Sequence, residues 1–217
     1  QDVGMEGGKN FYCAGGATPL LSAMLSIRYV LADNAMEEGP LRTLVAKSGD
    51  TYLYENAYVL PLGFMMDEDV AEKWDYAGGG DIGTQNQLAN LLGSDRLLLT
   101  AVESESKAGE SSFVAQDSAY YYATYSKTGV DNLQEQVSSG RTRGFTKVSH
   151  GYILDLGYCE AGEEVKVTNT ANELVQFVVY RLDLMALRTA YEALAAQAVE
   201  VTEVSDTRVK GNVDVTQ

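Results

Sequence analysis

The spacing of apolar positions changes twice along the chain. Between Thr18 and Gly93 it is mixed, helical in some windows and strand-like in others. Thr18 before Pro19 places a capping hydroxyl and a pre-set φ at a helix start, with the helix running through Leu25 or Ser26. Strands are predicted over Arg28–Leu31, Leu41–Lys47, Tyr52–Glu55 and Leu62–Met66, with an acidic turn region over Asn34–Pro40. Pro61 cannot donate to a ladder, so it belongs at a strand start or edge. Asp67–Asp75 reads as a short acidic helix ending near Trp74. After the glycines at 78–80, Thr84 and Gln87 have capping-box spacing and predict a helix carrying Leu88, Leu91 and Leu92, stopped by Gly93.

From Arg96 the period shortens. Leu97–Val102, Ser111–Ala115, Ala119–Tyr125, Gly144–Val148, Tyr152–Leu156, Glu164–Thr168 and Leu174–Tyr180 are strand-like runs. Turn residues at Lys107–Glu110, Lys127–Gly129, Ser138–Gly140 and Glu160–Glu163 separate several of them. In Glu164–Thr168, Val165 and Val167 point to one face and the polar residues to the other, the signature of a strand with one wet side. Helical spacing returns at Leu184, Leu187, Tyr191 and Leu194, behind Asp183 as the cap, so Leu184–Gln197 is a helix with one face for the sheet. Val199–Val204 and Thr207–Val215 are two last strands. The pattern predicts an α+β fold. A small α/β unit spans 1–75, and a Gly-rich loop with a connecting helix spans 76–95. A jelly-roll-like antiparallel β-sandwich spans 96–217, with helix 183–197 packed on it.

Charge narrows the partners. The chain has 31 acidic and 16 basic residues in 217, a net charge of −15. Nucleic-acid backbones require Lys/Arg patches, so nucleic acid is excluded as a partner. Adsorption to anionic lipid is disfavoured too. No apolar run approaches the roughly 18 residues of a membrane helix, and the chain, which starts at Gln1, shows no basic n-region followed by an apolar h-region, so an excised or processed segment is expected. Cys13 and Cys159 leave two readings open: a disulfide, or two small apolar side chains, the second being the default. With two cysteines and one histidine, a zinc site lacks ligands.

Candidate chemistry is sparse. Gly78, Gly80 and Gly83 match G-x-G-x-x-G, but the preceding Glu72–Tyr76 is no buried parallel strand, so no dinucleotide cofactor is expected. Asp67, Glu68, Asp69 and Glu72 form a carboxylate cluster without calcium-loop spacing and read as a solvated face. A glycosidase pair could stand among such carboxylates, at a separation that sequence does not reveal. His150 lies in a turn, and Ser139 lacks the nucleophile-elbow context of a triad. Tyr120, Tyr121, Tyr122 and Tyr125 are the sharpest binding candidates. Alternation sends Tyr120 and Tyr122 to one face and Tyr121 and Tyr125 to the other, and an exposed pair would stack on sugar rings. Packing of both faces is the competing reading.

Tyr54-Glu55-Asn56 followed by Leu60-Pro61-Leu62-Gly63-Phe64 resembles the extracytoplasmic region of YfhO-type bacterial multipass membrane proteins. The resemblance continues, in the family's order, through Thr18–Leu21, Ile27–Leu31, Gln85–Gln87, Tyr152–Gly157, Val201–Glu203 and Ser205–Thr207. The glycine-rich connection at 78–83 departs from it. The resemblance implies a non-catalytic extracytoplasmic domain of a protein similar to lipid-linked-sugar glycosyltransferases of the cell envelope, which act on polymers such as lipoteichoic acid. Its partners would be the membrane-embedded remainder of the same polypeptide and an envelope glycan acceptor, with the catalytic residues outside 1–217. Family chains continue past Gln217, so the last strand is expected to belong to a following domain. An independent carbohydrate-binding module and a secreted glycoside hydrolase are the alternatives. Within the motif, Tyr54–Asn56 is expected to close a turn and Leu60–Met66 to fill the small unit's core, with Glu55→Ala destabilising it.

Overall fold

A computed structural model describes residues 3–5, 7–8, 11–12, 15–76, 78–126, 130–205 and 207–212. In chain order, β1 (Gly7–Gly8), β2 (Phe11–Tyr12), α1 (Pro19–Met24), β3 (Tyr29–Ala32), β4 (Arg42–Ser48) and β5 (Thr51–Asn56) come first. They are followed by α2 (Glu68–Lys73), α3 (Gly80–Leu91), β6 (Leu99–Val102), β7 (Glu105–Lys107), β8 (Glu110–Val114) and β9 (Ala119–Tyr125). Then come β10 (Asn132–Val137), β11 (Thr142–Thr146), β12 (Leu154–Cys159), β13 (Glu164–Thr168) and β14 (Phe177–Leu182). The chain closes with α4 (Leu184–Ala195), β15 (Glu200–Ser205) and β16 (Arg208–Asn212). All strand pairs among the described residues are antiparallel, and the fold is α+β.

The chain forms two compact units, each built from two separate stretches. One comprises 1–17 with 99–182, the other 18–98 with 183–217. The first is a sandwich of a five-stranded sheet (β11-β10-β13-β8-β7) and a four-stranded sheet (β12-β9-β14-β6). Alternation along each strand sends one row inward. Phe113, Leu133 and Val165 from one sheet meet Tyr121, Leu154, Leu156, Phe177 and Val179 from the other in a single apolar cluster. Each such side chain, fully buried, contributes about 1.5–3 kcal/mol. Opposite Tyr121, β12 carries a bulge: Gly157 takes a φ of +72° and donates its N–H to the Asp155 carboxylate at 2.8 Å. A left-handed glycine suits that extra residue.

The second unit holds the three-stranded sheet β3-β5-β4, helices α1 to α4, and the β15–β16 hairpin. Here the structure corrects the expected division of the chain. Helix α4 packs on α1 and α3, inside the unit of 18–98, and residues 1–17 go with the sandwich. The cause is the inward row Ala186, Leu187, Ala190 and Leu194, buried to 1% exposure or less, whose neighbours are helices. Tyr191 donates to the Val59 carbonyl at 3.2 Å and meets the Tyr58 ring edge-on at 5.1 Å.

Three local expectations also change. Helix α3 starts at Gly80, four residues before Thr84, and Thr84 lies buried inside it. Thr84 is therefore no cap; its carbonyl accepts from the Trp74 indole at 3.0 Å. Tyr54–Asn56 lies within the central strand β5, and the turn sits at Gly49-Asp50. Leu62–Met66 forms no strand of its own beyond a single bridge at Phe64. It is held by Val199 N–H on the Gly63 carbonyl and Met65 N–H on the Gln197 carbonyl. Leu60 is buried, whereas Leu62 is 72% exposed, so only part of that run fills a core.

Candidate functional site

The tyrosine run does not present the platform that sugar stacking needs. Tyr120, Tyr121 and Tyr122 are each 2% exposed or less. Tyr121 sits in the sandwich cluster with its ring 5.1 Å from Phe113, and its hydroxyl donates to the Asp117 carbonyl at 2.8 Å. Tyr120 meets the Tyr158 ring edge-on at 5.3 Å. Tyr125 is half-buried, and its hydroxyl donates to the Val148 carbonyl at 2.5 Å and accepts from Tyr152 N–H. The face assignment by alternation holds, and both faces are covered.

The remaining sequence candidates take structural places. The Asp67 carboxylate caps α2 through Asp69 N–H at 2.9 Å, and Asp69 pairs with Lys73 at 2.7 Å. Gly80 and Gly83 lie in a helix, with no strand leading into it. Ser139 bonds to Glu163, while Ser149, next to His150, donates to Asp131 at 2.6 Å. Among the described residues no group of three or more His, Cys, Asp or Glu is arranged to hold a metal. Cys159 is a buried free thiol, which burial pushes up to about 11 against the pull of Arg141; Cys13 lies outside the described residues. A thiol of that kind is protonated at neutral pH and is no nucleophile.

Two features escape the sequence reading. The first is a buried ion cluster. On β10 the inward row is Leu133, Glu135 and Val137, so a carboxylate occupies a core position with 0% side-chain exposure. Arg143 stands directly opposite on β11, and its guanidinium Nε and Nη2 both donate to Glu135. Arg141 adds a contact at 3.4 Å and donates to the carbonyls of Leu156 and Tyr158 at 2.7 Å each. Since β11 and β12 are edge strands of the two sheets, Arg141 ties one edge of the sandwich shut. Burial raises the pKa of Glu135, opposed by Arg143 and Arg141. β10 itself is missing from the predicted strands, because Asn132, Gln134, Glu135 and Gln136 conceal its apolar alternation.

The second is an open groove of about 520 Å³ at the opposite edge of the five-stranded sheet. Glu103, Glu105, Ser112, Val114, Gln116 and Glu164 line it. The β7–β8 and β8–β13 registers put Glu105 opposite Ser112 and Val114 opposite Glu164, so alternate positions on one sheet face supply the polar groups. Two hydroxyls behind it hold the hairpin: buried Ser111 donates to the Val175 carbonyl at 2.9 Å, and half-buried Ser106 accepts from Phe177 N–H at 3.1 Å. The groove offers carboxylate and amide acceptors, hydroxyl donors and one exposed apolar side chain, a set suited to a neutral polyhydroxylated ligand. No protein-family model matches the chain, and no curated protein matches it in sequence.

Proposed function

We propose that this chain is a non-catalytic extracytoplasmic domain of a membrane protein resembling the YfhO-type glycosyltransferases, and that it helps to position or recognise a cell-envelope glycan. The observation that carries the reading is that residues of the resemblance, scattered along the sequence, bond to one another in the fold. Thr18 donates its buried hydroxyl to the buried Gln85 side chain. Asn56 donates from its side chain to the Ile27 carbonyl and from its backbone to that of Arg28, at 2.8 Å each.

The groove at Glu103–Glu105 and Glu164 takes over the binding role first given to the tyrosines. The net charge of −15 favours the neutral sugar over the phosphates of an envelope polymer. None of the described helices is long and apolar enough to cross a membrane, so membrane attachment would come from outside 1–217. The test is a nuclear magnetic resonance titration with neutral oligosaccharides and with lipoteichoic acid fragments. Shifts centred on Ser112, Val114 and Gln116 are expected, and none at saturating sugar would overturn the binding role. The full-length reading frame should encode many membrane helices; a frame without them overturns the membrane assignment. The three groove carboxylates also favour a second reading, a glycoside hydrolase. Release of reducing ends from those oligosaccharides would establish it.

A further inference from the structure

The three-stranded sheet has two unlike edges. On one side β4 carries a bulge between Leu44 and Ala46, a charged Arg42 and a Lys47 whose ammonium lies 4.5 Å from the Tyr52 ring. Bulges and lysines are the usual guards of an open strand edge. The hairpin β15–β16 is likewise guarded, by Glu200, Glu203, Arg208 and Lys210. On the other side β3 reads Tyr-Val-Leu-Ala, uncharged throughout, with Tyr29 54% and Leu31 72% exposed. Among the described residues no strand or bridge pairs with its outer side.

The hydrogen-bonding parity of that edge follows from the ladder. Asn56 N–H donates to the Arg28 carbonyl at 2.8 Å, one step beyond the Tyr29–Glu55 pair. Bonded and non-bonded pairs alternate in an antiparallel ladder, so Val30 and Ala32 bond to β5. The N–H and C=O of Tyr29 and Leu31 therefore face outward. Their side chains share one face of the sheet.

We propose that β3 is a self-association edge that pairs antiparallel with β3 of a second copy of this chain. A two-fold axis at Val30 sets Tyr29 of each copy opposite Leu31 of the other. Both residues point their backbone groups outward, so two bonded pairs form, giving four hydrogen bonds. Each pair also matches an aromatic ring with an aliphatic side chain on the same face, a favoured cross-strand combination. The ends of the strand are opposite in charge: exposed Arg28 precedes it and exposed Asp33 follows it, so antiparallel pairing sets the basic end of each copy against the acidic end of the other. The ion pair that Arg28 makes within its own chain, with Glu55 at 3.8 Å, is loose and exposed, leaving the guanidinium available. The contact is isologous and closes on itself as a dimer. Four residues of edge bury far less than a permanent interface needs, so the dimer is weak and concentration-dependent. With −15 on each chain, added salt strengthens it by screening repulsion.

Sedimentation velocity over rising concentration at elevated salt tests this. The unmodified chain is expected to move from monomer towards dimer. Leu31→Lys, which guards the edge, and Leu31→Pro, which removes an outward donor without touching the β5 ladder, should each weaken association about tenfold or more. Their melting temperatures should stay near that of the unmodified chain. Monomer at every concentration, or a dimer that both variants leave intact, overturns the proposal. Amide exchange on the unmodified chain gives a second readout, independent of how the variants fold. Tyr29 and Leu31 should slow on concentration while Val30 does not change, and a dimer without that slowing overturns the assignment to β3.

Discussion

The two units hold buried polar groups in opposite ways. The sandwich keeps a charged group inside, Glu135, and surrounds it with Arg141 and Arg143. The helical unit keeps its most deeply buried polar groups neutral: Thr18 and Gln85, at 0% exposure, bond to each other, Tyr54 is held through a hydroxyl that donates to the Met36 carbonyl and accepts from Met36 N–H, and the charged Arg42 is nearer the surface at 9% exposure. A buried ion pair can contribute little net stability over an apolar replacement, yet removing one partner leaves the other charges without compensation. A neutral pair costs less to bury and less to break. The sandwich edge should therefore be the more brittle of the two under substitution.

That contrast can be broken by experiment. Glu135→Ala leaves two guanidinium groups facing a core position and should cost about 3–5 kcal/mol, read by urea denaturation of the sandwich signals. A loss below that of the neutral-pair variant would reverse the ranking. Gln85→Ala removes the partner of the Thr18 hydroxyl and should cost about 1–3 kcal/mol. Restoring apolar volume in a Thr18→Val, Gln85→Leu double variant should recover much of that loss. Asp183 tests the role of capping. Its carboxylate accepts from Met185 N–H at 2.8 Å and Ala186 N–H at 3.0 Å, and Arg96 reaches it at 3.1 Å. Asp183→Ala should cost about 1 kcal/mol. Burial raises its pKa, but the capping N–H groups and Arg96 outweigh that, and the net shift is downward. A lowered carboxyl contributes stability above its unfolded pKa of about 3.9 that is lost as pH falls through its folded value. The gap between the unmodified chain and Asp183→Ala should therefore narrow in acid. The smallest effect belongs to Glu55→Ala. The Glu55–Arg28 pair is 3.8 Å apart and largely exposed, so about 0.5 kcal/mol or less is expected, a melting shift close to nil.

That last value replaces the sequence expectation that Glu55 holds its unit together. Its neighbours do so instead, Tyr54 from a buried site and Asn56 through Ile27. Sequence could not rank the three, because ranking them depends on which face of β5 meets the rest of the unit. Where a strand keeps a plain alternation, as in Glu164–Thr168, both its limits and its buried face were readable in advance. Where a carboxylate interrupts an inward row and polar residues fill the outer one, as in β10, the strand vanished from the pattern, and the charged cluster built on it vanished too. The helix at Leu184–Ala195 was legible as a helix. Its partners were not, since periodicity reports that a face is buried and not what buries it. The tyrosine run illustrates the same limit: alternation assigned the faces correctly, and packing decided that neither was open. The groove was invisible for a related reason. Glu103, Glu105, Ser112, Gln116 and Glu164 come from three separate stretches of the chain that only the strand register brings together.

The backbone N–H of Asp183 donates to the carbonyl of Leu98 at 2.9 Å, and Arg96 reaches the same aspartate's side chain. The chain thus leaves the helical unit and re-enters it at touching points, with residues 99–182 carried between them. A host with such a doorway experiences its guest as a single closed loop, whatever the length of the guest. The helical unit could exchange this sandwich for another, or for a short turn, while every one of its own contacts stayed in place.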